Sequence, residues 1–410
     1  MISRIIHQCW LSQKHEPVLK CVAEEIFRRK DEKMKRILWV NPSFLDYRIP
    51  LYQELDRKLN HNFYLVYSKY RIPERCEKKI HAALNDHAVS IRSEKIISLG
   101  GKSDFANSGV KIPIPCGLYS AIASTQPDLV IAEGFFQFTP MALLYCLIHR
   151  LPLWIAYERT AHTERNCPWY RMLYRKLVSH FVSGYLANGS LTKEYLQSWG
   201  IPVEKIHTGA MCADSLSSSV AALNQEAKDR IRKTLGLHSG LTFLFCGRMI
   251  KLKGCKYLLA EWRRHIKDFP EDNLLLVGDG PVLPIFRKQY QNEQSIHFAG
   301  GVDYDQIYQY YAVSDVFIIP TLEDNWSLVV PEAMACGLPV ATSIYNGCYP
   351  EFATQGNGMT FDPLKDGDIQ HVLAEFHKAD LKAMGERSRM IERDYSPDQT
   401  AERIVKAVLS

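Results

Sequence analysis

The chain has no pair of cysteines at CxxC spacing, although eleven cysteines occur in its 410 residues. They are scattered from Cys9 to Cys348, so neither a zinc knuckle nor a disulfide framework is expected. The pattern reads as buried, reduced thiols of a cytoplasmic protein. Long apolar runs are missing too. Crossing a bilayer takes about 18–20 apolar residues in succession. The nearest stretch, Met141–Tyr157, is interrupted by His149, Arg150 and Pro152. Nor is a signal peptide expected at the start, because Ile2–Trp10 is short and contains Arg4, His7 and Gln8. Basic-aromatic repeats are absent, which argues against nucleic acid as a partner.

What remains is the composition of a globular protein, 46% hydrophobic and 23% charged. At about 150 residues per domain, the length implies two domains, or three at most. Charge is divided unevenly between the halves. Residues 1–200 hold 28 Lys and Arg against 18 Asp and Glu, while residues 201–410 hold 22 against 27. A basic first half favours a phosphate-bearing ligand or an anionic membrane surface.

Short apolar runs alternate with helical periodicity. Strands are expected at Arg36–Asn41, Phe63–Tyr67, Asp128–Glu133, Leu153–Tyr157 and Gly184–Ala187. A second group follows at Thr242–Cys246, Asn273–Val277, Ser295–Phe298, Val316–Pro320 and Pro339–Thr342. Helical segments such as Pro50–Leu59, Pro168–Phe181, Lys256–Phe269 and Pro281–Gln291 lie between them. That alternation predicts an α/β architecture with parallel sheets. The polar stretch 213–240 separates the groups and reads as a linker between a first domain, 34–212, and a second, 241–390. Residues 1–33 read as an appended segment of unknown role, and Ser396–Leu409 as a terminal helix.

Two loops concentrate the chemistry. Strand Thr242–Cys246 runs into Gly247 and Arg248, followed by Lys251, Lys253 and Gly254. Glycine lets the backbone approach a ligand, and the cations stabilise phosphate oxygens whose charge grows as a bond breaks. An exposed basic loop is the plainer alternative. The second loop, Pro320–Ser327, precedes a helix over Leu328–Gly337, with Pro331 in the first turn. Amides of Ser327, Leu328 and Val329 would then form an anion site. Asp324 and Glu332 are placed so that both can accept hydrogen bonds from one polyhydroxylated ligand. Complementing the helix dipole is the alternative role for Glu332.

These stretches resemble the nucleotide-sugar domain of family 4 retaining glycosyltransferases, also called glycosyl transferases group 1. The matching pieces are FLFCGRMIKLKG (Phe243–Gly254), LLLVGDGP (Leu274–Pro281), Tyr310–Ser343 and Asn346–Glu351. The resemblance implies a GT-B fold, two Rossmann-like domains facing a central cleft. It also implies transfer of a sugar from a nucleotide donor with retention. By the same resemblance Arg248 and Lys253 bind the donor diphosphate, Glu332 the ribose and Asp324 the sugar. Asp324 stands where glutamate is usual, and Ser327 where glycine is common. In the first half, Tyr47–Tyr52 is similar to a YRxP-like loop, but a glycine pair common there is replaced by Pro42, Ser43 and Phe44. The resemblance places His162 beside the transferred sugar. Tyr47, Arg48 and Glu133 are acceptor-side candidates. The terminal helix is expected to return to the first domain.

The sequence thus predicts a hexosyltransferase using a UDP- or GDP-linked sugar, with a glycan or polyprenyl-linked acceptor and a role in surface polysaccharide synthesis. No metal or other cofactor is expected. An epimerase or hydrolase on the same fold, or a weakly active scaffold, are the competing readings. Asp303-Tyr304-Asp305 and Asp366-Gly367-Asp368 fit a metal-binding DxD pattern, but each precedes a helix and reads as a cap. In Pro168–Phe181, Trp169, Met172, Leu173, Leu177 and Phe181 form an apolar stripe beside Arg171, Arg175 and Lys176. Such a stripe faces either a core or the inner surface of a membrane.

Overall fold

A computed structural model describes residues 35–99, 110–213 and 217–410. The expectations for residues 1–33 therefore lie outside the described residues. The first unit contains strands β1 (Ile37–Val40), β2 (Phe63–Tyr67), β3 (Ala88–Ser90), β4 (Ser93–Leu99) and β5 (Val110–Cys116). It continues with β6 (Leu129–Glu133), β7 (Leu153–Tyr157), β8 (Gly184–Ala187) and β9 (Ile206–Thr208). The second contains β10 (Thr242–Cys246), β11 (Asn273–Val277), β12 (Ile296–Gly300), β13 (Val316–Ile319), β14 (Val340–Ser343) and β15 (Gly358–Phe361).

Seven strands form one parallel sheet in the order β3-β2-β1-β6-β7-β8-β9. Six form another, β12-β11-β10-β13-β14-β15. The central strands are buried along their whole length, as the near-continuous apolar runs of β1, β7, β10 and β11 require. Helices cover both faces. On one side of the first sheet, Leu51, Tyr52 and Leu55 pack against Ile404, Ala407 and Val408. On the other, Leu118, Ala142, Cys146, Val178 and Leu196 do the same work.

The strand order reverses between β1 and β6, and again between β10 and β13. Loops leaving the carboxyl ends of such neighbours diverge to opposite faces and open a crevice. Both basic and acidic loops of the second half leave that point, after β10 and β13 respectively. The two sheets therefore present their crevices to each other.

Five strands were not expected: β3, β4, β5, β9 and β15. The hairpin β4–β5 is the instructive case, because Pro113 and Pro115 argue against a strand. A two-stranded ribbon has a free edge for both of them, being two residues apart on the same side. The terminal helix Pro397–Leu409 is capped by Ser396 and lies against the helix Ile49–Lys58. Arg57 pairs with Asp398 at 2.8 Å and Lys58 with Glu402 at 2.9 Å.

Three local expectations need correction. The helix after the acidic loop is shorter than expected, Val329–Ala335, because Pro331 confines its start and Gly337 its end. Neither DxD pattern caps a helix through a side-chain hydrogen bond. Asp366 instead pairs with Arg264, and Asp368 with Lys365 and the Asp362 amide. Finally, the nine described cysteines include Cys116, which is exposed rather than buried.

Candidate active site

The basic loop is held open by close backbone approaches. Gly254 has φ +68°, and a Cβ there would lie 1.8 Å from the Pro320 carbonyl oxygen. Only glycine allows that contact, which brings the basic loop against the acidic one. Leu322 N–H donates to the Leu252 carbonyl at 2.7 Å across the same seam. Gly278 acts similarly, because a Cβ there would meet the Gly247 carbonyl at 1.8 Å. The GDGP stretch is thus a strand-to-helix turn that also shapes the basic loop from behind.

Lys253 donates to Asp324 Oδ2, and the Ser327 hydroxyl donates to the same oxygen. Trp326 N–H reaches Asp324 Oδ1 at 3.2 Å. Burial raises the Asp324 pKa, but Lys253, Ser327 and the Trp326 amide outweigh it and hold the carboxyl below its usual range. Ser327 is therefore no mere substitute for glycine. Its hydroxyl fixes the carboxylate.

Glu332 is buried, and the Tyr311 hydroxyl donates to its Oε2 at 3.1 Å. Arg248 is exposed and forms no ion pair among the described residues. The N–H groups of Ser327, Leu328 and Val329 make no hydrogen bond among the described residues. Glu332, Arg248 and these amides, with Gly247, Lys253 and Asp324, border a cleft of about 560 Å³ between the two sheets. The first unit contributes Leu45, Tyr47, Arg159 and Thr163 to its wall. Burial raises the Tyr47 pKa.

His162 is not among the residues bordering this cleft. It lies at the seam between the units, with Nε2 2.8 Å from the Leu322 carbonyl and its ring stacked on Tyr345. Because a carbonyl only accepts, Nε2 carries the proton. Arg165 pairs with Glu323 at 2.7 Å beside it. Further along the seam, Ser190 N–H donates to Glu351 Oε1 at 2.6 Å.

Glu133 is also committed. Its Oε1 accepts from Arg48 at 2.9 Å and its Oε2 from Trp39 Nε1 at 2.9 Å. Arg48 is 4% exposed, so it braces Glu133 from within. Glu133 nonetheless borders a second, smaller cavity of about 180 Å³, with Tyr157, Glu158, Arg159, Glu164, Arg171 and Arg175. Arg159 borders both cavities.

Glu158, Arg159 and Tyr311 carried no role in the sequence reading. Glu158 accepts from Asn325 Nδ2 of the acidic loop at 3.0 Å. Burial raises its pKa, with Glu133 and Asp324 adding to the effect. Its signal in the sequence was a carboxylate directly after a fully apolar strand.

Residues 240–376 match the family Glycosyl transferases group 1. A sulfoquinovosyl transferase of Arabidopsis thaliana is 26% identical over 63% of this chain and 52% of its own length. An alpha-monoglucosyldiacylglycerol synthase of Streptococcus pneumoniae is 28% identical over 39% of this chain and 37% of its own. These matches span about half or less of those relatives. Among solved structures, Anabaena HepE in complex with UDP superposes with a TM-score of 0.71 at 14% identity, covering 91% of this chain and 99% of that one. Sucrose-phosphate synthase from Thermosynechococcus elongatus gives 0.63 at 15% identity, over 91% and 98%. The chain thus has the GT-B fold, and its residues 240–376 are similar to the glycosyl transferases group 1 family.

Proposed function

We propose that this protein transfers a hexose from a UDP- or GDP-linked donor to a hydroxyl group with retention of configuration. The observation that carries this reading is the meeting of Arg248, Lys253, Asp324, Glu332 and three unbonded amides around one interdomain cleft. A diphosphate seated there meets two cations and the amides, while Glu332 faces the ribose and Asp324 the sugar. Developing charge on the departing diphosphate is stabilised by groups already in place. Lys253 is neutralised by Asp324 before donor arrives, so binding must share or replace that contact. Among the described residues no side chain stands as an evident nucleophile. A front-face route, in which the leaving phosphate helps to deprotonate the acceptor, suits this arrangement, and no metal enters it.

The smaller cavity beside Glu158 supports an acceptor entering from the first domain. Complexes of HepE with UDP and with UDP-glucose favour a uridine donor. A polyprenyl-linked or other lipid-linked acceptor agrees with the helix Trp169–Ser179, whose apolar side is turned outward. Trp169 is 75% exposed and Leu173 and Leu177 are each 61% exposed, while Arg175 is buried against Glu164. Leu144, Leu147 and Ile148 are exposed on Thr139–His149, which covers the same face of the sheet. Lys176 and Arg150 lie among these side chains in sequence and are exposed. Apolar and cationic groups together match an anionic bilayer surface.

The reading is tested by following UDP- and GDP-hexose consumption with and without polyprenyl-phosphate-linked sugars. Acceptor-dependent release of nucleotide, with an α-linked product from an α-linked donor, is expected. Equal consumption without acceptor would assign hydrolysis or epimerisation instead.

A further inference from the structure

A second cluster of chemistry lies at the opposite end of β11 from the cleft. His265 ends the helix Cys255–His265, Asp272 immediately precedes β11, and His377 closes the helix Asp368–Phe376. Asp272 Oδ2 lies 2.8 Å from His265 Nε2 and 2.7 Å from His377 Nε2. One donor atom from each residue lies within 4.8 Å of the others. His265 and Asp272 are buried, whereas His377 borders an open depression that also touches Asp229, Arg232 and Asp315.

Charge is the unusual feature of this cluster. A buried carboxylate is ordinarily paired with a cation. Among the described residues Asp272 has no Lys or Arg at ion-pair distance, only the two imidazoles. Arg232, the nearby guanidinium, is bonded to Thr242 and to the carbonyls of Val313 and His238. Asp315, partly buried, adds a further carboxylate at the depression.

The geometry points to a divalent transition-metal site with His265, Asp272 and His377 as ligands. Two imidazoles and one carboxylate suit Zn²⁺ or Co²⁺, not Mg²⁺ or Ca²⁺, which take oxygen ligands. The ion replaces the two hydrogen bonds now made to Asp272 Oδ2. Each neutral imidazole moves its proton from Nε2 to Nδ1 and gives the Nε2 lone pair to the metal. In His265 no bond is lost in doing so, because Nδ1 has no partner among the described residues. Bonds of about 2.0–2.2 Å require the closest ligand atoms to separate by roughly half an ångström. His377, at a helix end beside solvent, supplies that movement, and the depression leaves a fourth position for water. The ion ties two helices to the start of β11 and acts on the stability of the second domain, apart from Lys253 and Asp324.

The test uses full-length protein stripped with EDTA and exchanged into metal-free buffer. Stoichiometric ZnCl₂ or CoCl₂ is expected to raise the melting temperature by several degrees, and MgCl₂ to leave it unchanged. Co²⁺ is expected to give visible absorption of a four- or five-coordinate site without a thiolate charge-transfer band. His377→Gln, at a partly exposed position, is expected to lose both responses while turnover of nucleotide sugar is unchanged. Absence of both responses in the wild type would overturn the site. So would a thiolate band, or undiminished binding in His377→Gln.

Discussion

At the scale of single residues, the candidate donor site rests on groups that hold one another. Tyr311 is fully buried and its hydroxyl has Glu332 as acceptor, so Tyr311→Phe removes one hydrogen bond without changing shape. A hydrogen bond to a charged group contributes about 1.5–3 kcal/mol. The variant is expected to bind donor roughly tenfold more weakly or worse, with its fold intact. Calorimetric titration with nucleotide checks this, and unchanged affinity would remove Glu332 from the donor contacts. Arg248, Lys253, Asp324 and Ser327 were legible in the sequence because they sit on two short loops directly after apolar strands, and Glu332 because it lies in the first turn of the short helix that follows the second loop. Glu158 and Tyr311 were not, since their partners lie far along the chain and only folding brings them close. For His162 the residue was legible but its seat was not, since that seat is set by the Leu322 carbonyl of the other domain.

At the scale of elements, the helix Trp169–Ser179 shows what periodicity leaves open. Its apolar stripe was readable, but which side faces the sheet depends on Glu164, whose buried carboxylate draws Arg175 inward. Leu173→Glu with Leu177→Glu is expected to abolish sedimentation with phosphatidylglycerol vesicles. The melting temperature should hardly move, since exposed substitutions usually change stability by less than about 0.5 kcal/mol. Undiminished vesicle binding would reject this helix as the contact, and concentration-dependent dimerisation of the wild type alone would assign the stripe to a second copy. The strands legible in sequence were those buried on both faces, such as β7 and β10. β3, β9 and β15 were too short or too mixed in composition to stand out, and prolines concealed β5.

At the scale of the whole molecule, the chain crosses between domains through the helix Leu381–Arg393 and returns through Pro397–Leu409. Glu392 sits at this crossing, 7% exposed, and burial pushes its pKa to about 7, with Arg393 opposing. An unfolded glutamate titrates near 4.3. The folded state thus keeps a proton that the unfolded state releases, so this group's contribution falls as pH rises from about 4.3 to 7. Glu392→Gln is expected to raise stability at pH 8 by on the order of 2 kcal/mol and to change it little at pH 4. Denaturant unfolding at the two pH values checks the sign. An equal effect at both would show that the carboxyl is not protonated in the folded protein.

The seam between the domains closes a cleft around Lys253, and the central claim is that a nucleotide diphosphate binds there. Melting curves of the purified protein with UDP, GDP, ADP and their sugars, each with and without EDTA, test it most directly. At 100 times its dissociation constant a ligand stabilises the fold by about 2.7 kcal/mol. The account predicts a shift selective for one nucleotide, of equal size with EDTA present, and lost in Lys253→Ala. No shift from any nucleotide, or an undiminished shift in folded Lys253→Ala, would contradict it.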